Sequence, residues 1–343
     1  MNSSGVFSSA AVNRRQLLTM AMAGGAFAAI GPVNAQGKTA FRIQYDWLMD
    51  NGKIGDIVAL QRGFFSEEGL DVTVSPGGPN AQTVPPVLAD QAQAGQMGSN
   101  QVLAAYGEGI PLRMVATTYQ NAPLVYVSLP RAPVRTPADL VGKRVAVTPN
   151  GRWLVNLMLS INGIDPSKVE LVTAGADLSP ILLEQADVGV SFATNTKALS
   201  VLGPDVIMMS AKDAGIPYYT GTYFTAADDY DKRKDVLIRF VRALGRGWGW
   251  AYENRKEAVD IMCDAYPGLD REVEHRTVDT VMSLAFSEDT KKNGWGWIDK
   301  DRMQKEIEMF GKGGGFKTRM PDLDGVLTQE ILEKTADARP SLG

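Results

Sequence analysis

Cysteine and histidine are almost missing from this chain, each occurring once in 343 residues. A single cysteine, Cys263, leaves no internal disulfide in any redox compartment. Its setting, AVDIMCDAY, puts it on or near the packed side of a helix, as an inert buried thiol. With one histidine, His275, neither a Ser-His-Asp triad nor a histidine-rich metal site has the material it needs. His275 stands in the charged helical stretch REVEHRTVD and reads as solvated surface. A basic cluster is also lacking. Lys and Arg number 35 against 39 Asp and Glu, for a net charge of −4, a poor match for nucleic acid or an anionic membrane surface. The apolar run from Leu17 to Ile30 is shorter than the roughly 20 residues that span a bilayer and is interrupted by Gly24 and Gly25.

That run has a different meaning when read with its flanks. Arg14-Arg15 precede it, and Pro32-Val33-Asn34-Ala35-Gln36 follow it. A charged start, an apolar middle and small residues at Val33 and Ala35 form a secretory signal peptide over residues 1–35, of the twin-arginine type. Removing it leaves 308 residues with 33 basic against 39 acidic side chains, a charge of −6. That length suits two medium domains, each with its own core. The lone cysteine is far from the cleavage site, so no lipid-modified N-terminal cysteine is available. The mature protein is expected free in the periplasm.

The remaining chain alternates short apolar runs with helical periodicity. Strands are expected at Phe41–Tyr45, Leu70–Val74, Gln96–Gly98 and Leu112–Thr117. Helices are expected at Ile54–Arg62, Thr83–Leu88 and Gln101–Tyr106. The extended run Leu124–Leu129 opens a second series: strands Arg144–Thr148, Val169–Thr173, Val188–Phe192 and Val206–Met209, with helices Leu154–Ile161 and Ile181–Ala186. From Lys234 to Tyr252, Leu237, Phe240, Val241, Leu244, Trp248 and Ala251 fall on one helical face. A compact series set inside another implies two lobes joined by two crossings, near Pro123–Val127 and Pro217–Thr222. One lobe would comprise residues 36–124 and 219–343, the other 125–218, with a cleft for a small ligand between them.

Physically, GFFSEEGLDV (Gly63–Val72) is a helix-to-strand connection, with Gly63 as the cap and the phenylalanines as core. It also resembles the G-[FY]-F-x-x-E-G-L-x-V segment of ABC-transporter solute-binding proteins, in the branch that includes binders of thiamine-pyrimidine precursors, aliphatic sulfonates and nitrate. TPADLVGKRVAVTPNG (Thr136–Gly151), INGIDPSKVELV (Ile161–Val172) and DVLIRFVRALGRGWGWAYENRKEAVDIM are similar to further segments of that family in order and spacing. Asp46-Trp47, directly after the first strand, resembles the thiamine-precursor subgroup. The resemblance implies an α/β, two-lobed periplasmic-binding-protein fold of type II topology with two hinge crossings. It also implies a monomer that delivers a small solute to a permease with a separate ATPase, without a cofactor.

A ligand in such a fold lies beyond the carboxyl ends of the strands. Four places qualify. Asp46-Trp47 offer a stacking face and an acceptor for N–H donors. Ser99-Asn100 begin a helix with hydroxyl, amide and backbone N–H groups. Asn150-Gly151-Arg152 combine close backbone approach with a cation for an anion. Thr194-Asn195 follow the strand Val188–Phe192. These nine residues are the candidate ligand set, and no metal ligands are expected. Gly311 to Gly315 lack the spacing of a phosphate-binding loop and read as a flexible loop. The glycines at 245, 247 and 249 suggest close packing around Trp248 and Trp250. Trp295 and Trp297 read as loop packing. Two alternatives to a heteroaromatic solute are a small anion such as a sulfonate or nitrate, and a pyrimidine-precursor synthase-like enzyme. The enzyme is disfavoured by the export signal and by the lack of histidine in the first lobe. Terminal sequencing of the periplasmic fraction is predicted to begin at Gln36, and lysine at both 14 and 15 is predicted to block export.

Overall fold

The computed structural model describes residues 37–343 apart from 79, 80 and 176. The export signal, with Arg14, Arg15, Val33 and Ala35, lies outside those residues. In chain order the main elements begin with β1 (Thr39–Tyr45), α1 (Ile54–Gln61), β2 (Leu70–Ser75), β3 (Ala94–Met97), α2 (Ser99–Gly107) and β4 (Leu112–Tyr119). There follow β5 (Leu124–Ser128), β6 (Arg144–Val147), α3 (Arg152–Ile161), β7 (Glu170–Thr173), β8 (Val188–Phe192) and β9 (Ile207–Ser210). The chain continues with β10 (Thr220–Ala226) and helices α4 (Ala227–Lys232), α5 (Lys234–Glu253), α6 (Arg255–Ala265), α7 (Arg271–Ala285), α8 (Glu288–Asn293) and α9 (Lys300–Lys312). Shorter helical turns are named by their residues.

The strands form two five-stranded sheets with the same plan, β2-β1-β3-β10-β4 and β7-β6-β8-β5-β9. In each, the fourth strand runs against its neighbours, and it is the strand entered by crossing from the other sheet. The two crossings are residues 120–123, between β4 and β5, and 211–219, between β9 and β10.

Alternation along β1 buries Phe41, Ile43 and Tyr45 on one face. There Phe41 stacks on Phe240 with ring centroids 4.4 Å apart, and the predicted stripe of α5 is buried with it. The opposite face of the first sheet shares a core with the second. Met114 and Phe224 belong to the same buried cluster as Tyr126 and Val145, joined by Met303, Ile307 and Phe310 of α9. Cys263 lies buried, as its flanks suggest.

The alternating glycines of α5 do serve close packing. A Cβ on Gly247 would collide with the Gly55 carbonyl oxygen, and one on Gly55 with the Trp248 ring. Gly245 and Gly249 instead make room for Arg339 and Pro340. Three local expectations are corrected. Strand β3 starts and ends earlier than Gln96–Gly98, running Ala94–Met97 with Gly95 under the Phe224 ring, and α2 starts at Ser99. The helix at Ile181–Ala186 is only the turn Ser179–Leu182, after which Glu184 takes a positive φ of 56°. Gly313 and Gly315 are not a free loop; they pack on Leu157 and Trp153. Gly247→Ala is predicted to cost about 1–3 kcal/mol of stability by overpacking the α1–α5 contact, read as a lower urea midpoint.

Candidate functional site

Strand direction fixes where a site can be. Strands β1, β3 and β4 all end at one edge of the first sheet, where β10 begins, as the registers Tyr45↔Gln96 and Thr220↔Tyr119 require. Strands β6, β8 and β9 end at one edge of the second, where β5 begins, from Leu124↔Phe192 and Val125↔Ser210. Both crossings leave from these carboxyl edges and arrive at them. Both edges therefore lie where the crossings run, with Asp46-Trp47 and Ser99-Asn100 at the edge of the first sheet and Asn150-Gly151-Arg152 and Thr194-Asn195 at that of the second.

On the first edge, the Asp46 amide donates to the Gln96 carbonyl at 3.1 Å, while Gly77 and Gly78 donate to the carbonyls of Trp47 and Asp46 at 2.9 and 3.1 Å. The loop is held by its backbone, leaving the Trp47 side chain exposed (44%). Asp46 is half-buried, and burial raises its carboxyl above the usual range against the opposing charge of Lys53. Beyond it, Asp50 accepts from Gly52 N at 2.9 Å and from Lys53 Nζ at 3.4 Å.

Two residues absent from the candidate set complete this edge. The Asn51 side chain donates to the Glu274 carbonyl at 2.7 Å, and its amide donates to Glu274 Oε2 at 3.2 Å. The Asn51 side-chain oxygen Oδ1 is buried without a partner among the described residues. Burial, reinforced by Asp50, pushes Glu274 up to about 7. Glu274 comes from α7, some 220 residues away in sequence. Only Asn51 carried a local signal, as a polar residue soon after Asp46-Trp47.

The second edge is arranged differently. The Thr148 side chain accepts from Gly151 N at 3.3 Å, and a Cβ on Gly151 would crowd Val147, so this glycine is needed for the turn itself. Asn150 contributes backbone to the turn; its side chain lies outside what is described. Arg152 is turned along the sheet, donating from Nη2 to Leu171 O at 2.9 Å and Thr173 Oγ1 at 2.7 Å. Asn195 caps the turn Thr196–Ser200, accepting from Ala198 N at 3.2 Å, and Thr194 beside it is half-buried. The edges meet where Thr196 Oγ1 lies 2.7 Å from Thr277 Oγ1 of α7.

Ser99 is fully buried, its hydroxyl spent on Tyr219 O at 2.7 Å and on Glu306; Asn100, the next residue, is half-buried at the start of α2. His275 is half-buried rather than freely solvated, with Nε2 3.2 Å from Asp260. A cavity of about 1030 Å³ lies at the crossings, bordered by Asn121, Pro217, Arg302 and Glu306, and none of the nine candidate residues lines it. Among the described residues no cluster of three or more metal-ligating side chains occurs, and no helix is long and apolar enough to cross a membrane.

The NMT1/THI5-like family model matches residues 51–258. The chain belongs to this family. Two curated relatives of this NMT1/THI5-like protein carry different activities in their names. A 4-amino-5-hydroxymethyl-2-methylpyrimidine phosphate synthase from Legionella pneumophila is 23% identical over 68% of this chain and 75% of that protein. A formylaminopyrimidine-binding protein from Halalkalibacterium halodurans is 28% identical over 64% of this chain and 68% of that one. The periplasmic aliphatic sulphonate-binding protein SsuA from Escherichia coli shares the fold. It aligns at a TM-score of 0.63 and 14% identity over 86% of this chain and 99% of that structure. The fold of this NMT1/THI5-like protein is thus the two-lobed periplasmic-binding-protein fold.

A carboxyl raised by the fold holds its proton more tightly when folded. It therefore withdraws stability as pH climbs from its ordinary 4.5 through about 7 for Glu274. Glu274→Gln is predicted to flatten that part of the decline, seen as urea midpoints that fall less across the interval than in the wild type.

Proposed function

We propose that this protein is the periplasmic solute-binding component of an ABC importer. It would capture a small heteroaromatic solute between its two sheet edges and deliver it to a permease with a separate ATPase. The observation that carries the heteroaromatic reading is the division of charge at these edges. The exposed Trp47 indole stands beside Asp46 on an edge that also holds Asp50, Asn51 and Glu274. Lys53 on that edge is engaged with Asp50. Arg152, the cation suited to an anion, is tied to Leu171 and Thr173. Such an edge favours a flat ring bearing N–H donors over a compact anion. Similarity to a formylaminopyrimidine-binding protein supports the same class, whereas the sulphonate-binding relatives contribute the fold.

Closure about the two crossings would bring both edges to the solute, so binding would shift an open-to-closed equilibrium by its differential affinity. Residues 36–124 with 219–343, and 125–218, would be the moving bodies. The contact between Thr196 and Thr277 is a point where they meet. A synthase reading has little to build on here. His275 faces Asp260 of the neighbouring helix, and Cys263 is buried with its thiol pushed up by burial. Export with cleavage after Ala35 belongs to this proposal, as does the twin-arginine route.

Native mass spectrometry of the protein as purified would weigh whatever it carries. In calorimetry with formylaminopyrimidine, Trp47→Ala is predicted to lose about 1–3 kcal/mol, the scale of base–aromatic stacking. Arg152→Ala should leave that affinity within about 0.5 kcal/mol. Unaltered binding by Trp47→Ala together with abolished binding by Arg152→Ala would replace the heterocycle with an anion.

A further inference from the structure

Helix α9 passes under both crossings and is fastened to each. Arg302 donates to the Gln120 carbonyl and, at 3.4 Å, to Asn121 Oδ1 of the first crossing. Its guanidinium lies 4.1 Å from the centroid of the Tyr219 ring of the second. Tyr219 Oη in turn accepts from the Asp299 amide at 3.1 Å. One turn further along, Glu306 meets the Ser99 hydroxyl, the first side chain of α2, which also donates to the Tyr219 carbonyl at 2.7 Å. The far end of α9 reaches the second sheet's helix α3, where Trp153 Nε1 donates to the Gly313 carbonyl at 3.3 Å and its ring stands 5.5 Å from Phe310.

Glu306 sits where these connections converge, 2% exposed, with Oε2 lacking a partner among the described residues. The Ser99 hydroxyl has one hydrogen and two acceptors, Tyr219 O and Glu306 Oε1. Both contacts are hydrogen bonds only when the carboxyl supplies a proton of its own. We propose that Glu306, holding that proton, is a positioning residue: through Ser99 it locks the first turn of α2, at the carboxyl edge of the first sheet, to the second crossing. A solute held at that edge would then meet an α2 whose placement depends on the hinge, an extension that rests on the solute-binding reading above.

Burial pushes Glu306 up to about 8, against the opposing influence of Ser99, Arg302 and the Tyr219 amide. The titratable groups around it are Arg302 on its own helix and Tyr218 and Tyr219 on the crossing. The adjoining cavity adds Lys212 from the crossing, Glu288 and Asp289 from α8, Asp299 and Asp301 at the start of α9, and Lys305, Glu308 and Lys312 along it. Both tyrosines are themselves raised by burial, so the carboxyl is the group that changes charge near pH 8.

Amide exchange by mass spectrometry, corrected for intrinsic rates, tests the lock on the full chain without any solute. It would be measured at one pH well below and one well above 8. In the wild type, residues 99–103 and 218–221 should exchange about tenfold faster or more at the higher pH, since local opening sets protection. Glu306→Gln keeps a donor toward Ser99 and has no proton to lose, so protection should be equal at both. Glu306→Ala should exchange fast at both. Persistence of the pH response in Glu306→Gln, or wild-type protection in Glu306→Ala, overturns the proposal. If the alanine variant fails to fold, the comparison of glutamine with wild type still decides. Because no ligand is used, a wrong solute assignment fails in calorimetry and leaves this result standing.

Discussion

Each sheet is completed by a strand that the chain reaches only by leaving the other sheet, and this exchange is the constraint on which the rest of the structure depends. Strand β5 follows four strands of the first sheet, and β10 follows the other four of the second. Because each arrives from a carboxyl edge, it must run antiparallel to its neighbours, and both crossings are forced to the same side. The placing of both carboxyl edges at the crossings is thus a product of connectivity. The side chains at those edges belong to loops that four parallel strands and their helices hold in place.

The first edge is supported from below by a buried carboxylate. Asp56 on α1 accepts from Tyr45 Oη at 2.7 Å, Tyr223 Oη at 2.7 Å and Trp248 Nε1 at 2.9 Å. Desolvation raises this carboxyl, and the three donors oppose it. An uncompensated buried carboxylate would cost several kcal/mol, so the donors are obligatory, and they come from β1, β10 and α5. One side chain therefore ties the strand that leads into Asp46-Trp47 to the strand entered from the second crossing. Tyr223 continues the connection upward, accepting from Thr118 at 3.2 Å, which accepts from Gln96 at 3.2 Å.

Apolar periodicity made the architecture legible: the face of α5, the alternation along β1 and the interruption of one series by another all follow from spacing. The strand ends bearing Asp46-Trp47 and Thr194-Asn195 were legible for the same reason. Side-chain allegiance was not. Ser99 and Arg152 stand at plausible edge positions, yet Ser99 is captured by Glu306 and the crossing, and Arg152 by β7. Neither partner is near in sequence. Glu274 was invisible for the converse reason: its helix reads as charged surface until packing against Asn51 buries one of its acids. Gly95 shows the same limit within a strand, since Phe224, over a hundred residues later, is what leaves no room for a side chain there.

Arg339 sits nearly fully buried without a carboxylate partner among the described residues, its guanidinium and Nε donating to Leu332 O, Trp295 O and Thr335 Oγ1, and burial lowers it to about 10. Its backbone and stem, with Pro340, fill the notches left by Gly245, Gly249 and Gly294. The first sheet's outer core is thus closed by residues synthesised long after β1, whereas the second sheet uses only the contiguous stretch from residue 124 to 210. On a ribosome all five strands of the second sheet can therefore be present while the first still waits for its last strand and its plug, although the core beneath the second sheet is completed only by α9. The order of synthesis imposes an order of completion, and the half carrying Trp47 finishes last.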